Sequence, residues 1–192
     1  MNFSPVPKFS FHDITDISPI FLQTLGIKFL MVDLDNTIAA YSEHHTSSAV
    51  SEWALEVKNH GIELFIVSNS LRKDRVGVFK DELDVGGIMN AHKPSPIGVK
   101  QAMACAGFSP DSSALIGDQI FTDTLAANRA GVVSIIVRPK QLTNPLLALR
   151  YAAETPFRAM CKKSNRNNDL NGHADNQKIK SKQKVGTPYE QY

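Results

Sequence analysis

Apolar runs and helical stripes alternate along most of the chain. Ile27-Lys28-Phe29-Leu30-Met31-Val32-Asp33 is apolar until its end except at Lys28, and reads as a strand with both faces buried. Ile62 to Val67, Ser113 to Gly117 and Val132 to Val137 read the same way, with Ile88-Met89 as a shorter strand. Between the first two, Val50, Trp53, Ala54 and Val57 follow the i, i+3, i+4, i+7 spacing of an amphipathic helix, which Gly61 is placed to end. Further helices are expected over residues 71–83, 95–106 and 122–130, stopped by Asp84-Val85-Gly86-Gly87, Gly107 and Gly131. This βαβα alternation predicts an α/β fold, Rossmann-like, with three α/β/α layers around a mainly parallel sheet and right-handed crossovers. No internal repeat accompanies it.

Two flanks add short apolar stripes. Ser18-Pro19 is a helix start followed by Ile20, Phe21 and Leu25. Asn144-Pro145 starts another, carrying Leu146, Leu147, Leu149 and Tyr151 with Arg150 and Arg158. Such stripes serve either packing against the sheet or docking at an anionic lipid surface. Residues 1–26 are therefore expected as a flank on the core, 27–160 as the domain and 161–192 as a tail.

Composition changes this picture mainly at the tail. The chain has 192 residues, 42% hydrophobic and 21% charged, as expected of one globular domain. Its net charge of +2 conceals a tail with seven Lys/Arg against three Asp/Glu. That polar, basic stretch is expected to be disordered, with anionic lipid or nucleic acid as its minority partners. No apolar stretch approaches the ~20 residues that span a bilayer. No secretory or transit signal is visible, so a cytoplasmic location is expected, with a peripheral membrane contact open. Cys105 reads as a small core residue, and neither it nor Cys161 has metal-ligand spacing.

The candidate chemistry falls where each strand ends, which in a parallel sheet is one edge. Asp33 and Asp35 follow the first strand, Ser68 and Asn69 the second, Lys93 the third, and Asp118 and Asp123 the fourth. Taken alone, Asp33-Leu34-Asp35-Asn36-Thr37 fits either a strand-to-loop turn or a cation site. Hard cations such as Mg²⁺ favour carboxylates together with water and phosphate oxygens. Ser68-Asn69-Ser70 fits a helix cap as well as a phosphate cradle. Thr122 and Asp123 fit a cap and a first-turn acid. Together, four acids, a hydroxyl, an amide and a lysine make up the inventory of a magnesium-dependent phosphoryl-transfer site. The adjacent His44-His45 lacks a third ligand and reads as a solvated loop.

These motifs, with Gly26-Ile27-Lys28 and Gly117-Asp118-Gln119-Ile120-Phe121-Thr122-Asp123, resemble the haloacid-dehalogenase (HAD) superfamily of phosphatases, subfamily IIIA, and within it the bacterial YqeG-type proteins. Mitochondrial phosphatidylglycerophosphate phosphatases belong to the same group. The resemblance spans residues 14–140. It implies Asp33 as the nucleophile that forms an aspartyl-phosphate and Asp35 as the acid/base. It also implies Asp33, Asp35 (through its carbonyl), Asp118 and Asp123 around Mg²⁺, with Thr37, Ser68, Asn69 and Lys93 at the substrate phosphate. The implied reaction is hydrolysis of a phosphate monoester, with phosphatidylglycerophosphate as first substrate and a soluble ester or phosphoprotein as the alternative.

Spacing bears on access. Asp33 and Ser68 are 35 positions apart, and Ser68 and Lys93 are 25 apart. A helix and a strand fill each interval, so no folded cap domain fits. An open site suits bulky or membrane-held substrates. Two non-enzymatic readings compete: a receiver-like phosphoacceptor and a binding module using the basic tail on RNA. Asp35 and the nucleophile's place on the first strand argue against the receiver, and the intact acids argue against lost chemistry. Oligomeric state leaves no signal in the sequence.

Overall fold

In the computed structural model, which describes residues 4–142 and 145–161, six strands form one sheet. They are Phe9–Ser10 (β1), Phe29–Val32 (β2), Glu63–Val67 (β3), Gly86–Ile88 (β4), Ser113–Gly117 (β5) and Val133–Ile136 (β6). Every pairing is parallel, in the order β1-β6-β5-β2-β3-β4. Four of these strands were legible as apolar runs; the fifth, β4, takes in Gly86 and Gly87, which were expected as a turn, and shares only Ile88 with the expected Ile88-Met89 strand. The sixth, β1, is a two-residue edge strand, too short for any periodicity. It is held by Lys8 N–H to Ser134 C=O (3.0 Å) and Phe11 N–H to Ile136 C=O (2.9 Å).

Residues on β2 alternate between two cores, as the two-residue period of a strand demands. Leu30 and Val32 face a core with Trp53, Val57, Val76 and Phe79, supplied by Ser48–Asn59 (α2) and Lys73–Leu83 (α3). Ile14, Ile17 and Leu22 close this side, Leu22 from Pro19–Thr24 (α1), which Ser18 caps through Phe21 N–H (3.1 Å). Phe29 and Met31 face the second core with Val99, Ala102 and Met103 of Ile97–Ala106 (α4) and the alanines of Leu125–Ala130 (α5). Phe29 stacks on Phe108 at 5.0 Å. Burying one such ring contributes about 2–3 kcal/mol. The result is a three-layer α/β/α arrangement. Only α2 and β3 lie between Asp33 and Ser68, and only α3 and β4 between Ser68 and Lys93.

Register brings the functional ends together. Val32 pairs with both Ile66 and Ile116, and Val67 pairs with Ile88. Asp33, Ser68 and Asp118 therefore leave the sheet side by side. Asp33 N–H donates to Ile116 C=O and Ser68 N–H to Ile88 C=O, each at 2.9 Å.

Three details differ from expectation. Cys105 is exposed, because Val99, Ala102 and Met103 are the residues of α4 that meet the sheet; the buried cysteine is Cys161. Where one helix was expected over 122–130, the chain forms a π-helical turn, Ile120–Thr124, before α5. The leucine stripe after Pro145 does not carry the packing either. In the helix spanning 145–161 (α6), Leu146 and Leu149 are 71% and 69% exposed. A buried polar pair docks this helix instead. Glu154 accepts from Phe121 N–H (3.1 Å) and Arg158 Nη2 (3.2 Å), while Arg158 also donates to the carbonyls of Val137 (2.9 Å) and Asp118. On α1, Ile20 is likewise exposed, and Phe21 packs edge-on to Phe9 and Phe11. No described helix is long and apolar enough to cross a membrane. Residues 162–192 of the expected tail lie outside the described residues.

Because Glu154 is buried, removing its partner strands a charge. Arg158→Met is expected to destabilise the protein by about 3 kcal/mol, measured as ΔG in urea denaturation. A loss well under 1 kcal/mol would mean that α6 is held by other contacts.

Candidate active site

Lys93 is the centre of the cluster at the carboxyl edge of the sheet. Its Nζ lies 2.6 Å from Asp33 Oδ1, 2.7 Å from Val67 C=O and 2.7 Å from Asp123 Oδ1. The Asp33 and Val67 contacts are aligned hydrogen bonds, whereas Asp123 Oδ1 has charge contact without that alignment. An ammonium has three protons; two are donated to Asp33 and Val67, and the charge is shared with Asp123. Burial opposes the charge on Lys93, but Asp123 and Asp33 outweigh it and hold the ammonium protonated well above its ordinary range.

The loop carrying Lys93 is set by Asn69. Asn69 Nδ2 donates to Lys93 C=O (2.9 Å), and Lys93 N–H donates to Asn69 Oδ1 (2.8 Å). The side chain expected at the phosphate thus clasps the backbone of the lysine. Ser68 is buried beside it, and its Oγ accepts from Ser70 N–H (3.0 Å).

Asp33, Asp118 and Asp123 are buried, with carboxylate oxygens all within 4.8 Å of one another. Such crowding has a physical signature. Burial pushes the Asp33 carboxyl up to about 7, with Asp123 and Asp35 adding to the rise and Lys93 opposing it. Burial, then Asp123 and Asp33, raise Asp118 well above its ordinary value. Asp118 Oδ1 is buried without a hydrogen-bond partner. A divalent cation fits this all-oxygen cluster, since it would relieve both the repulsion and the unpaired oxygen. Gly117 makes the approach possible: a Cβ there would lie 2.3 Å from Asp123 Cγ. Asp123 is also fixed by Gln119 N–H, which donates to its Oδ2 (3.0 Å).

Asp35 stands apart from the three clustered carboxylates. Its Oδ1 accepts from Arg75 Nε at 2.9 Å. Its carbonyl accepts no backbone hydrogen bond among the described residues. Arg75 is buried, lies 5.1 Å over the Phe79 ring, and also donates to the carbonyls of Ala40 (2.8 Å) and Glu43. It was not anticipated, although an arginine on the same face of α3 as Val76 and Phe79 is itself a signal: a charge among apolar neighbours needs a partner.

Asp33, Asp35, Ser68, Asn69, Lys93 and Asp123 share one cleft of about 280 Å³. Tyr41, Gln119, Leu147 and Arg150 also line it, so α6 forms a wall that the sequence did not reveal. Burial and the carboxylates of Asp35, Asp118 and Asp33 push the Tyr41 phenol up to about 12. Thr37 does not join this lining. It is fully buried, and its Oγ1 has no hydrogen-bond partner. His45 Nδ1 lies 2.5 Å from Glu82 Oε1 on the surface, and neither His44 nor His45 joins the carboxylate cluster.

Comparison with known proteins bears on the family and the fold. The family described as HAD-hydrolase-like matches residues 90–154. The probable phosphatase YqeG of Bacillus subtilis (strain 168) is 34% identical over 127 residues, covering 66% of this chain and 73% of the relative. Among solved structures, a putative 3-deoxy-D-manno-octulosonate 8-phosphate phosphatase from Vibrio cholerae superposes with a TM-score of 0.50 at 18% identity, covering 67% of this chain and 75% of that one. An uncharacterized protein from Listeria monocytogenes serotype 4b gives a TM-score of 0.50 at 15% identity, covering 69% and 99%. At those identities the two structures speak for the fold alone.

The raised carboxyls set the sign of a pH effect. Asp33 rises from 3.8 to about 7, so across that window the folded protein holds more protons than the unfolded chain. The stability of metal-free protein is therefore expected to fall as pH rises from about 4 to about 7, and added Mg²⁺ to raise Tm at the upper end. Thermal melts in EDTA and in Mg²⁺ at both ends of the range measure this. A Tm indifferent to divalent cation at pH 8 would remove the cluster as a metal site.

Proposed function

Because this chain belongs to the HAD-type phosphatases related to YqeG, we propose that it is a Mg²⁺-dependent phosphate monoester hydrolase whose nucleophile is Asp33. The observation that carries the reading is the buried Asp33–Lys93 pair at 2.6 Å, set among Asp118 and Asp123 at the end of the central strand. A divalent cation beside Asp33 would act with Lys93 to hold it as the carboxylate against the effect of burial, and a carboxylate needs no base to become a nucleophile.

In the first step an Asp33 carboxylate oxygen attacks phosphorus and the bond from phosphorus to the ester oxygen breaks. Asp35 gives its proton to that leaving oxygen. In the second step Asp35 takes a proton from water as the water oxygen attacks the aspartyl-phosphate, which frees inorganic phosphate and restores Asp33. Asp33, Asp118, Asp123 and the Asp35 carbonyl would hold Mg²⁺, which supplies positive charge to the phosphoryl oxygens. Lys93 fixes Asp33 and Asp123 against each other rather than reaching outward. Ser68, at the cleft wall, would meet the phosphate through its hydroxyl, since its own N–H and that of Ser70 are already donated to Ile88 C=O and Ser68 Oγ.

Arg75 is a positioning residue in this scheme. It holds Asp35 Oδ1 and leaves Oδ2 for proton transfer. The same guanidinium ties down the 40–43 loop, so Asp35 and that loop keep one geometry.

The substrate we assign first is phosphatidylglycerophosphate. The uncapped cleft and the exposed Leu146 and Leu149 on the helix that walls it suit a phosphate presented at a lipid surface.

The test is phosphate release with and without Mg²⁺ from micellar phosphatidylglycerophosphate, aryl phosphate, nucleotides and sugar phosphates. Asp33→Asn is expected to abolish release while leaving the folded state intact by circular dichroism; retained turnover excludes it as the nucleophile. Release from soluble esters but not from the lipid would keep the chemistry and discard the lipid. Asp35→Asn is expected to slow hydrolysis by at least ~10². Arg75→Lys is expected to slow alkyl esters about tenfold or more while sparing aryl phosphate, whose leaving group needs little protonation. Equal losses on both ester types would make Arg75 structural only.

A further inference from the structure

We propose that Arg150 binds a second anionic group of the substrate, which makes the site selective for phosphate monoesters that also carry a phosphodiester or similar anion. This rests on the hydrolase reading above and adds a specificity-determining residue to it.

Arg150 stands out by what its guanidinium leaves undone. Lys93 already faces Asp33, Asp123 and Val67, and Arg75 is bound by Asp35, Ala40 and Glu43. Arg150 lines the same cleft, yet its guanidinium donates no hydrogen bond among the described residues. Its nearest acid is Glu154, at 3.7 Å, and that carboxylate already accepts from Phe121 N–H and Arg158. A guanidinium has five donors in a planar fork that matches carboxylate and phosphate oxygens.

Space and charge place the partner in the cleft but away from the reacting phosphorus. On its other side Arg150 meets a recess of about 10 Å³ walled by Asn36, Asp118 and Leu147, where an anion does not fit. The cleft side offers about 280 Å³. Within it, Arg150 is carried by α6, a different wall from the strand ends and loops that carry Asp33, Ser68 and Lys93. Its side chain is 34% exposed against 10% for Asp33 and 2% for Lys93, which sets it toward the mouth, away from the reacting group. Its helix is fixed by the buried Glu154–Arg158 pair, so the cation is presented from a rigid wall.

The experiment compares two water-soluble substrates with Mg²⁺ present: glycerol 3-phosphate and the deacylated head group of phosphatidylglycerophosphate, which adds a phosphodiester. For Arg150→Gln, kcat/KM is expected to fall about tenfold to a hundredfold further on the diester-bearing substrate than on glycerol 3-phosphate, chiefly through KM. Arg150→Lys should recover part of that difference, since it keeps the charge and loses the fork. Equal losses on both substrates would place Arg150 on the transferred phosphoryl group and overturn the proposal, as would no loss on either. Calorimetric binding of the same head group to Asp33→Asn, with and without Arg150→Gln, reads the contact without turnover. An affinity that Arg150→Gln leaves unchanged overturns the proposal, whereas absence of turnover in the parent enzyme would count only against the hydrolase reading.

Discussion

A single buried ammonium holds the edge of this sheet together. Three carboxylates of Asp33, Asp118 and Asp123 converge where water is largely excluded; burial and the neighbouring acids raise the cost of ionising Asp33 and Asp118. Lys93 offsets part of that repulsion, and it does so by joining oxygens from β2, β3 and the π-helical turn after β5. Much of the nearby local structure serves to bring it there. The short β4 directs the following loop back over the sheet, Asn69 clasps the lysine backbone on both sides, and the bare Cα of Gly117 lets Asp123 close in.

Around that centre the arginines divide the work of fixing the surroundings. Arg75 ties Asp35 and the 40–43 loop to α3, and Arg158 ties α6 to the carbonyls of Val137 and Asp118. Both are buried, where a fork of donors satisfies several acceptors at once and leaves little unpaired charge. α6 gives the cleft a wall without a separate folded cap, because only one helix and one strand occupy each interval between the motifs. Access therefore stays open on the side where Tyr41 and Arg150 stand.

The apolar runs that marked four strands succeeded because a strand buried on both faces must be apolar throughout, and β2 meets that condition at all four positions; β4, with two glycines and no buried position, lacks that signal. Helix positions followed from the spacing of Val50, Trp53, Ala54 and Val57 for the same reason. The leucines after Pro145 misled, since hydrophobicity alone does not say whether a helix docks by its apolar stripe or by a buried ion pair. Thr37, so near the nucleophile in sequence, turns inward because the tight 34–39 turn, with Ile38 and Ala39 N–H both reaching Leu34 C=O, rotates it off the cleft.

By itself the sequence determined the α/β class, the strand ends and the identity of the acids, hydroxyl and lysine that gather there. Local rules are enough for these: burial dictates apolar runs, and a parallel sheet brings the residues just past each strand to one edge. Only the tertiary structure decided which donors are occupied and which remain available. Asn69 was drawn to the Lys93 backbone, Lys93 to Asp33 and Asp123, Arg75 to Asp35, and Arg150 to the cleft wall. Hydrogen bonds and charges act over a few ångströms between residues 24 to 60 positions apart in the chain, and distance in space is set by folding rather than by sequence order.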